Sequence, residues 1–118
     1  MPVSLGPVVG KIGGGAEVSE IPVDFTSPSG MGVHHVVTVP VPEGVTARVI
    51  VVGTANISTS SVSRPRLIIG GQDIGPYHNS VGGSTTVTGP TVVEASREST
   101  SSLYDPSFVG TVYYWHAE

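Results

Sequence analysis

The sequence predicts an all-β chain. The fold expected is an antiparallel two-sheet sandwich or jelly roll of seven to eight short strands over residues 17–118, preceded by an extended N-terminal arm over residues 1–16. Three observations predict it. Val, Ile and Thr together supply 39 of 118 residues while Leu appears three times, and β-branched side chains lose χ1 freedom in a helix but pack well on a pleated sheet. Sixteen Gly and ten Pro cut the chain into segments too short for ordinary helices. Turn signals recur every 8–12 residues, the spacing of an all-β sandwich. Disorder is excluded by a mean hydropathy of +0.21 with a net charge of only −4.

The elements follow in order. Residues 1–16, with Gly6-Pro7 and Gly13-Gly14-Gly15, form an apolar segment between flexible joints, which reads as an arm. The first strand is expected over residues 20–25 and the second over residues 35–41. The strongest strand signal, residues 45–52, starts polar on one face at Thr46 and Arg48 and then turns apolar on both, as a strand entering a core should. Pro42-Glu43-Gly44 between these two predicts a tight hairpin. Residues 54–64 are Ser/Thr-rich and read as a polar loop or edge. A strand over residues 66–69 follows, and Gly70-Gly71-Gln72-Asp73 predicts a turn with positive φ, as do Gly82-Gly83 and Gly89-Pro90. Strands over residues 85–88 and 91–95 come next, then a Ser/Thr-rich loop over residues 94–105 in place of a helical turn. In the last strand, residues 109–115, Val109, Thr111, Tyr113 and Trp115 point one way and Val112, Tyr114 and His116 the other. Bulk on both faces predicts a strand covered on each side.

Charge and cysteine content exclude several function classes. Charged residues make up 12% of the chain, against about 25% in an average domain. Nucleic-acid binding needs clustered cations to neutralise phosphates; the one Lys is Lys11, and the nearest basic pair, Arg64 and Arg66, is split by Pro65. With no Cys, thiolate-metal and Cys-nucleophile chemistry drop out. The first residues lack the basic and apolar regions of a secretory signal. The longest apolar run, residues 49–52, is far short of the roughly 20 needed to cross a bilayer. A soluble chain made in the cytoplasm, with no nucleic-acid or membrane partner, is expected.

No residue is assigned a catalytic, cofactor-binding or metal role. His34 and His35 are adjacent, so a strand sends them to opposite faces, and with His78 and His116 they show no His-x-His or His-Glu-x-x-His spacing. Separate surface or interface imidazoles explain all four. Asp24, Asp73 and Asp105 sit far apart beside turns or strand ends, where capping explains them better than paired acid and base carboxylates. No Gly-x-Ser-x-Gly elbow is present. Lys11-Ile12 precedes Gly13-Gly14-Gly15, the reverse of a phosphate loop. Asn56-Ile57-Ser58 matches a glycosylation acceptor without a secretory signal to support it. Tyr77, Tyr104, Tyr113, Tyr114 and Trp115 have the ring faces to stack on sugars, with Tyr77-His78-Asn79 as the candidate contact. Three of the five lie on the last strand, where a core or interface role fits better.

The block Val37-Thr38-Val39-Pro40-Val41-Pro42-Glu43-Gly44-Val45-Thr46-Ala47-Arg48-Val49-Ile50-Val51-Val52, followed by Leu67-Ile68-Ile69-Gly70-Gly71, resembles small β-sandwich virion modules of tailed bacteriophages, particularly minor tail proteins of phages infecting actinobacteria. Such modules run strand, Pro-x-Gly turn, long apolar strand, then a strand ending in Gly-Gly. The opening Leu5-Gly6-Pro7-Val8-Val9-Gly10-Lys11-Ile12-Gly13 is similar to the start of some phage tail proteins, whose N-terminal segment anchors the chain to the particle. The resemblance covers about half the chain and implies a non-enzymatic structural subunit without cofactors, located in the virion, whose partners are other virion proteins and its own copies. Low charge with apolar residues on both faces of several strands leads the same way, because large apolar patches mark interfaces. A capsid decoration protein is the alternative, and a carbohydrate-binding module contacting host-surface glycan is a further one.

Overall fold

The computed structural model describes residues 8–12, 16–27, 32–55, 65–96 and 106–117. Among the described residues nine strands follow one another: β1 (Val8–Ile12), β2 (Ala16–Phe25), β3 (Val33–Val39), β4 (Thr46–Thr54), β5 (Arg66–Ile69), β6 (Gln72–Pro76), β7 (Ser80–Thr88), β8 (Thr91–Ser96) and β9 (Phe108–His116). They form a five-stranded sheet in the order β1-β2-β9-β4-β7 and a four-stranded sheet in the order β3-β8-β5-β6. Every pairing is antiparallel. The chain is therefore an all-β, antiparallel two-sheet sandwich. Without β1, the order β2-β9-β4-β7 over β3-β8-β5-β6 is that of a jelly roll, in which the chain changes sheet at every connection except β5–β6.

That alternation corrects one expectation. Pro42-Glu43-Gly44 does turn the chain, with Val45 N donating to Pro42 O at 3.1 Å and Gly44 at φ 77°. The strands it joins, however, lie in opposite sheets, so the connection is an arch and not a hairpin. Pro40 and Pro42 explain the difference: neither has an N–H to continue a ladder, so pairing stops at Val39, and the buried Val41 carries the chain across the core.

A hairpin does form between β5 and β6. Ile69 pairs with Gln72 across Gly70 and Gly71, which sit at φ 59° and 81°. Two successive positive φ values define the two-residue turn whose twist matches the flanking strands. Gly89 also has positive φ, at 80°. Gly82-Gly83 does not turn; both residues lie inside β7, paired with Val52 and Val51. A Cβ on Gly83 would collide with Ile74 Cγ2, so glycine here leaves room for the side chain that β6 lays against β7.

At the N-terminus, β1 folds back onto β2, with Lys11 opposite Glu17 and Ile12 opposite Ala16. The boundary expected at residue 16 thus falls within a strand pair of one sheet. Of the loops expected over residues 54–64 and 94–105, residue 54 ends β4 and residues 94–96 end β8, while residues 56–64 and 97–105 lie outside the described residues.

The core follows from strand periodicity. Val49, Val51, Val93, Val112, Val39 and Ile69 are fully buried, with Leu67 and Val41 beside them. Alternate residues of β4, β9, β8 and β5 meet between the sheets. One end is closed by aromatic rings. Tyr77 stands edge-on to Phe108 at 5.8 Å between centroids, and Phe25 tilts against the same ring at 6.1 Å.

Candidate functional site

Strand alternation that fills the core also fixes what the sheets turn outward. In β4, Ala47, Val49 and Val51 are buried, so Arg48, Ile50, Val52 and Thr54 occupy the outer face. In β9, Phe108 and Val112 are buried, which leaves Val109, Thr111, Tyr113 and Trp115 on that face, as the sequence predicts. Register sets them in rows. Trp115 lies opposite Arg48, Tyr113 opposite Ile50, Thr111 opposite Val52, and Val109 opposite Thr54. On the other side of β9, Glu20, Pro22 and Asp24 of β2 line up with Tyr113, Thr111 and Val109.

The centre of this face is apolar and its border polar. Val52 and Val109 are 42% and 56% exposed, and Ile50, Tyr113 and Trp115 are half-buried. Val18 is buried but stands apart from the main core cluster. Around them, Arg48 Nη1 donates to Thr86 Oγ1 at 3.4 Å, and Thr46 Oγ1 lies 3.1 Å from Thr88 Oγ1. An apolar centre with a polar border is the anatomy of a protein interface.

The outer face of the four-stranded sheet is chemically different. Arg66 Nε donates to Asp73 Oδ2 at 2.8 Å, and Gly75 N donates to Asp73 Oδ1 at 3.0 Å. The Arg66 guanidinium holds the Asp73 carboxyl below the usual carboxylate range. His35 Nε2 is 2.9 Å from Thr38 Oγ1, and His35 sits opposite Glu94. Arg66 with Asp73 and His35 with Thr38 are thus paired within the chain, and Val33, opposite Ser96, stands exposed on the same face.

The histidines do not converge. His34 and His35 follow each other on β3, His78 lies between β6 and β7, and His116 ends β9. Among the described residues, no three His, Asp or Glu side chains are grouped to hold a metal ion. Asp24 is on β2 and Asp73 is engaged by Arg66; Asp105, Asn56, Arg64 and Tyr104 lie outside the described residues. An open cleft of about 700 Å³ between β2 and β3 is lined in part by Asp24, Phe25, His34, His35 and Val36, a juxtaposition that spacing does not reveal because residues 24 and 34 belong to different sheets.

Tyr77 is 4% exposed, and its hydroxyl donates to the Pro106 carbonyl. Burial pushes its pKa well above the ordinary tyrosine value. It is a core residue, which removes the ring from Tyr77-His78-Asn79 as a sugar contact.

No family model matches the sequence, and no curated protein matches it. Among solved structures, the chain is similar to the native structure of a family 35 carbohydrate binding module from Clostridium thermocellum. The match has a TM-score of 0.45 and 15% identity, covering 95% of this chain and 100% of that one. A likeness of that degree carries no argument about this chain.

Proposed function

We propose that this chain is a non-enzymatic structural subunit of a bacteriophage particle, a minor tail protein that joins other virion proteins through the outer face of its five-stranded sheet and through its N-terminal segment. The observation that carries the reading is the contrast between the two outer faces. One carries the Arg66–Asp73 ion pair and the His35–Thr38 contact, with Val33 exposed singly on its edge strand; the other sets Ile50, Val52, Val109, Tyr113 and Trp115 side by side, the kind of patch that marks an interaction site. The bacteriophage assignment is supported by the resemblance of residues 37–52 and 67–71 to tail modules. Incorporation into particles tests the reading. A chain lacking residues 1–16, and separately a Val52→Glu/Val109→Glu chain, should fold yet be missing from purified particles. Normal incorporation of both would refute it. Copy number separates a tail protein, at a few to some dozens per particle, from head decoration, at hundreds.

A second reading rests on Tyr113 and Trp115, which lie two residues apart on one strand, about 6.7 Å along the backbone, and so stand on the same sheet face. Such a pair suits stacking on a host-surface glycan. Glycan-array binding that disappears in Trp115→Ala would favour it over the subunit role.

A further inference from the structure

Among the described residues the sandwich has four edge strands, β1 and β7 in one sheet and β3 and β6 in the other. Three carry a one-residue bulge. The register skips Val9 in β1, Val36 in β3 and Ile74 in β6. These strands also hold Lys11, the His34-His35 pair, and Asp73 with Pro76. Bulges, charges and prolines are the devices by which proteins stop a sheet edge from adding another strand. β7 has none of them. It pairs with β4 through nine residues without a shift, and Ser80-Val81-Gly82-Gly83-Ser84-Thr85-Thr86-Val87-Thr88 contains no charge and no Pro.

Its open backbone groups can be identified. Gly89 N donates to Val45 O, and Ala55 N to Asn79 O, which fixes the alternation of the β4–β7 ladder. Val81, Gly83, Thr85 and Val87 bond inward to β4, while Ser80, Gly82, Ser84, Thr86 and Thr88 turn their N–H and C=O outward. Ala117 N donating to Thr46 O confirms the parity, since it commits the even residues of β4 to β9. Among the described residues nothing pairs with this edge of β7.

We infer that β7 pairs with β7 of a second copy, antiparallel about a two-fold axis through Ser84. The strand is complementary to itself. Around that axis Ser80 meets Thr88, Gly82 meets Thr86, and Ser84 meets its own equivalent, so all five outward residues fall in bonded pairs. On the inner face Val81 meets Val87. Ser and Thr directly opposite one another are favourable cross-strand neighbours, and no like charges are opposed. The result is a closed, isologous dimer with a continuous sheet of ten strands. This pairing needs only two copies of the chain and stands apart from the particle role.

The full chain contains no Cys, so Ser84→Cys introduces a single thiol. In a bonded antiparallel pair the Cα atoms are about 5.5 Å apart, inside the range a disulfide spans. Sedimentation of the wild type should give twice the 12.1 kDa chain mass. Ser84→Cys should oxidise to a covalent dimer, whereas Thr38→Cys, exposed on the other sheet, should not. Ser84→Lys, which opposes two ammonium groups at the axis, should sediment at the single-chain mass with an unchanged circular dichroism spectrum. A wild type of single-chain mass would overturn the inference. So would a dimer that survives Ser84→Lys while the Ser84→Cys chain forms no cross-link, because its interface would then lie elsewhere, on the outer sheet face or at the N-terminus.

Discussion

Tyr77 combines two roles that are hard to satisfy in one side chain. Its ring packs against Phe108 in the core, and its hydroxyl meets the Pro106 carbonyl. Removing the hydroxyl leaves that buried carbonyl without its donor, so Tyr77→Phe should lose about 1–3 kcal/mol in urea unfolding. The same burial sets a pH signature. The folded hydroxyl ionises well above 10, because burial disfavours its charged form, while in the unfolded chain it ionises near the ordinary tyrosine value of 10.0. Above that pH the unfolded state binds fewer protons than the folded state, so stability falls as pH rises. This contribution is fully present below pH 10, and the loss should be shallower in Tyr77→Phe. Tyr77 also shows where sequence reading stops. An aromatic ring beside His and Asn looks like a ligand contact, and only Phe108 and Pro106, about thirty residues further on, enclose it.

At the scale of strands, nearest-neighbour chemistry was legible and pairing was not. Alternation placed β4, β5, β8 and β9 within a residue or two of their true ends, and it sorted the two faces of β9 correctly. Sheet membership depends on partners far away in sequence, which is why the Pro42-Glu43-Gly44 arch read as a hairpin. β6 was missed because Gln72-Asp73-Ile74-Gly75-Pro76 is rich in turn formers; it is a strand because the two-residue turn at Gly70-Gly71 folds it back on β5. Gly82-Gly83 read as a turn for a similar reason. At Gly83 glycine answers a packing need, and the need is testable. Gly83→Ala should cost about 1–3 kcal/mol through overpacking against Ile74. Adding Ile74→Ala should recover part of that loss in a double-mutant cycle, whereas additive losses would separate the two side chains. Leu67→Ala, emptying the site next to both, should cost about 2–5 kcal/mol.

For the molecule as a whole, the two sheets divide the labour. Their inner faces build one core dominated by Val, and their outer faces diverge, one carrying the Arg66–Asp73 and His35–Thr38 pairs and one with several apolar side chains in adjoining rows at its centre. The apolar members of that outer face are legible in β9 and in the second half of β4, where both faces turn apolar. That the two runs lie side by side requires register, which sets Ile50 opposite Tyr113 and Val52 opposite Thr111. Because Val52 and Val109 contribute little to the core, Val52→Glu/Val109→Glu should keep its folding stability within about 0.5 kcal/mol per site, measured by thermal unfolding, while losing assembly. Hydroxyl-radical footprinting read by mass spectrometry, on the separate chain and on purified particles, tests the interface most directly. Tyr113, Trp115 and Val52 should be oxidised in the separate chain and protected in particles. Equal oxidation of all three in both states would contradict the account.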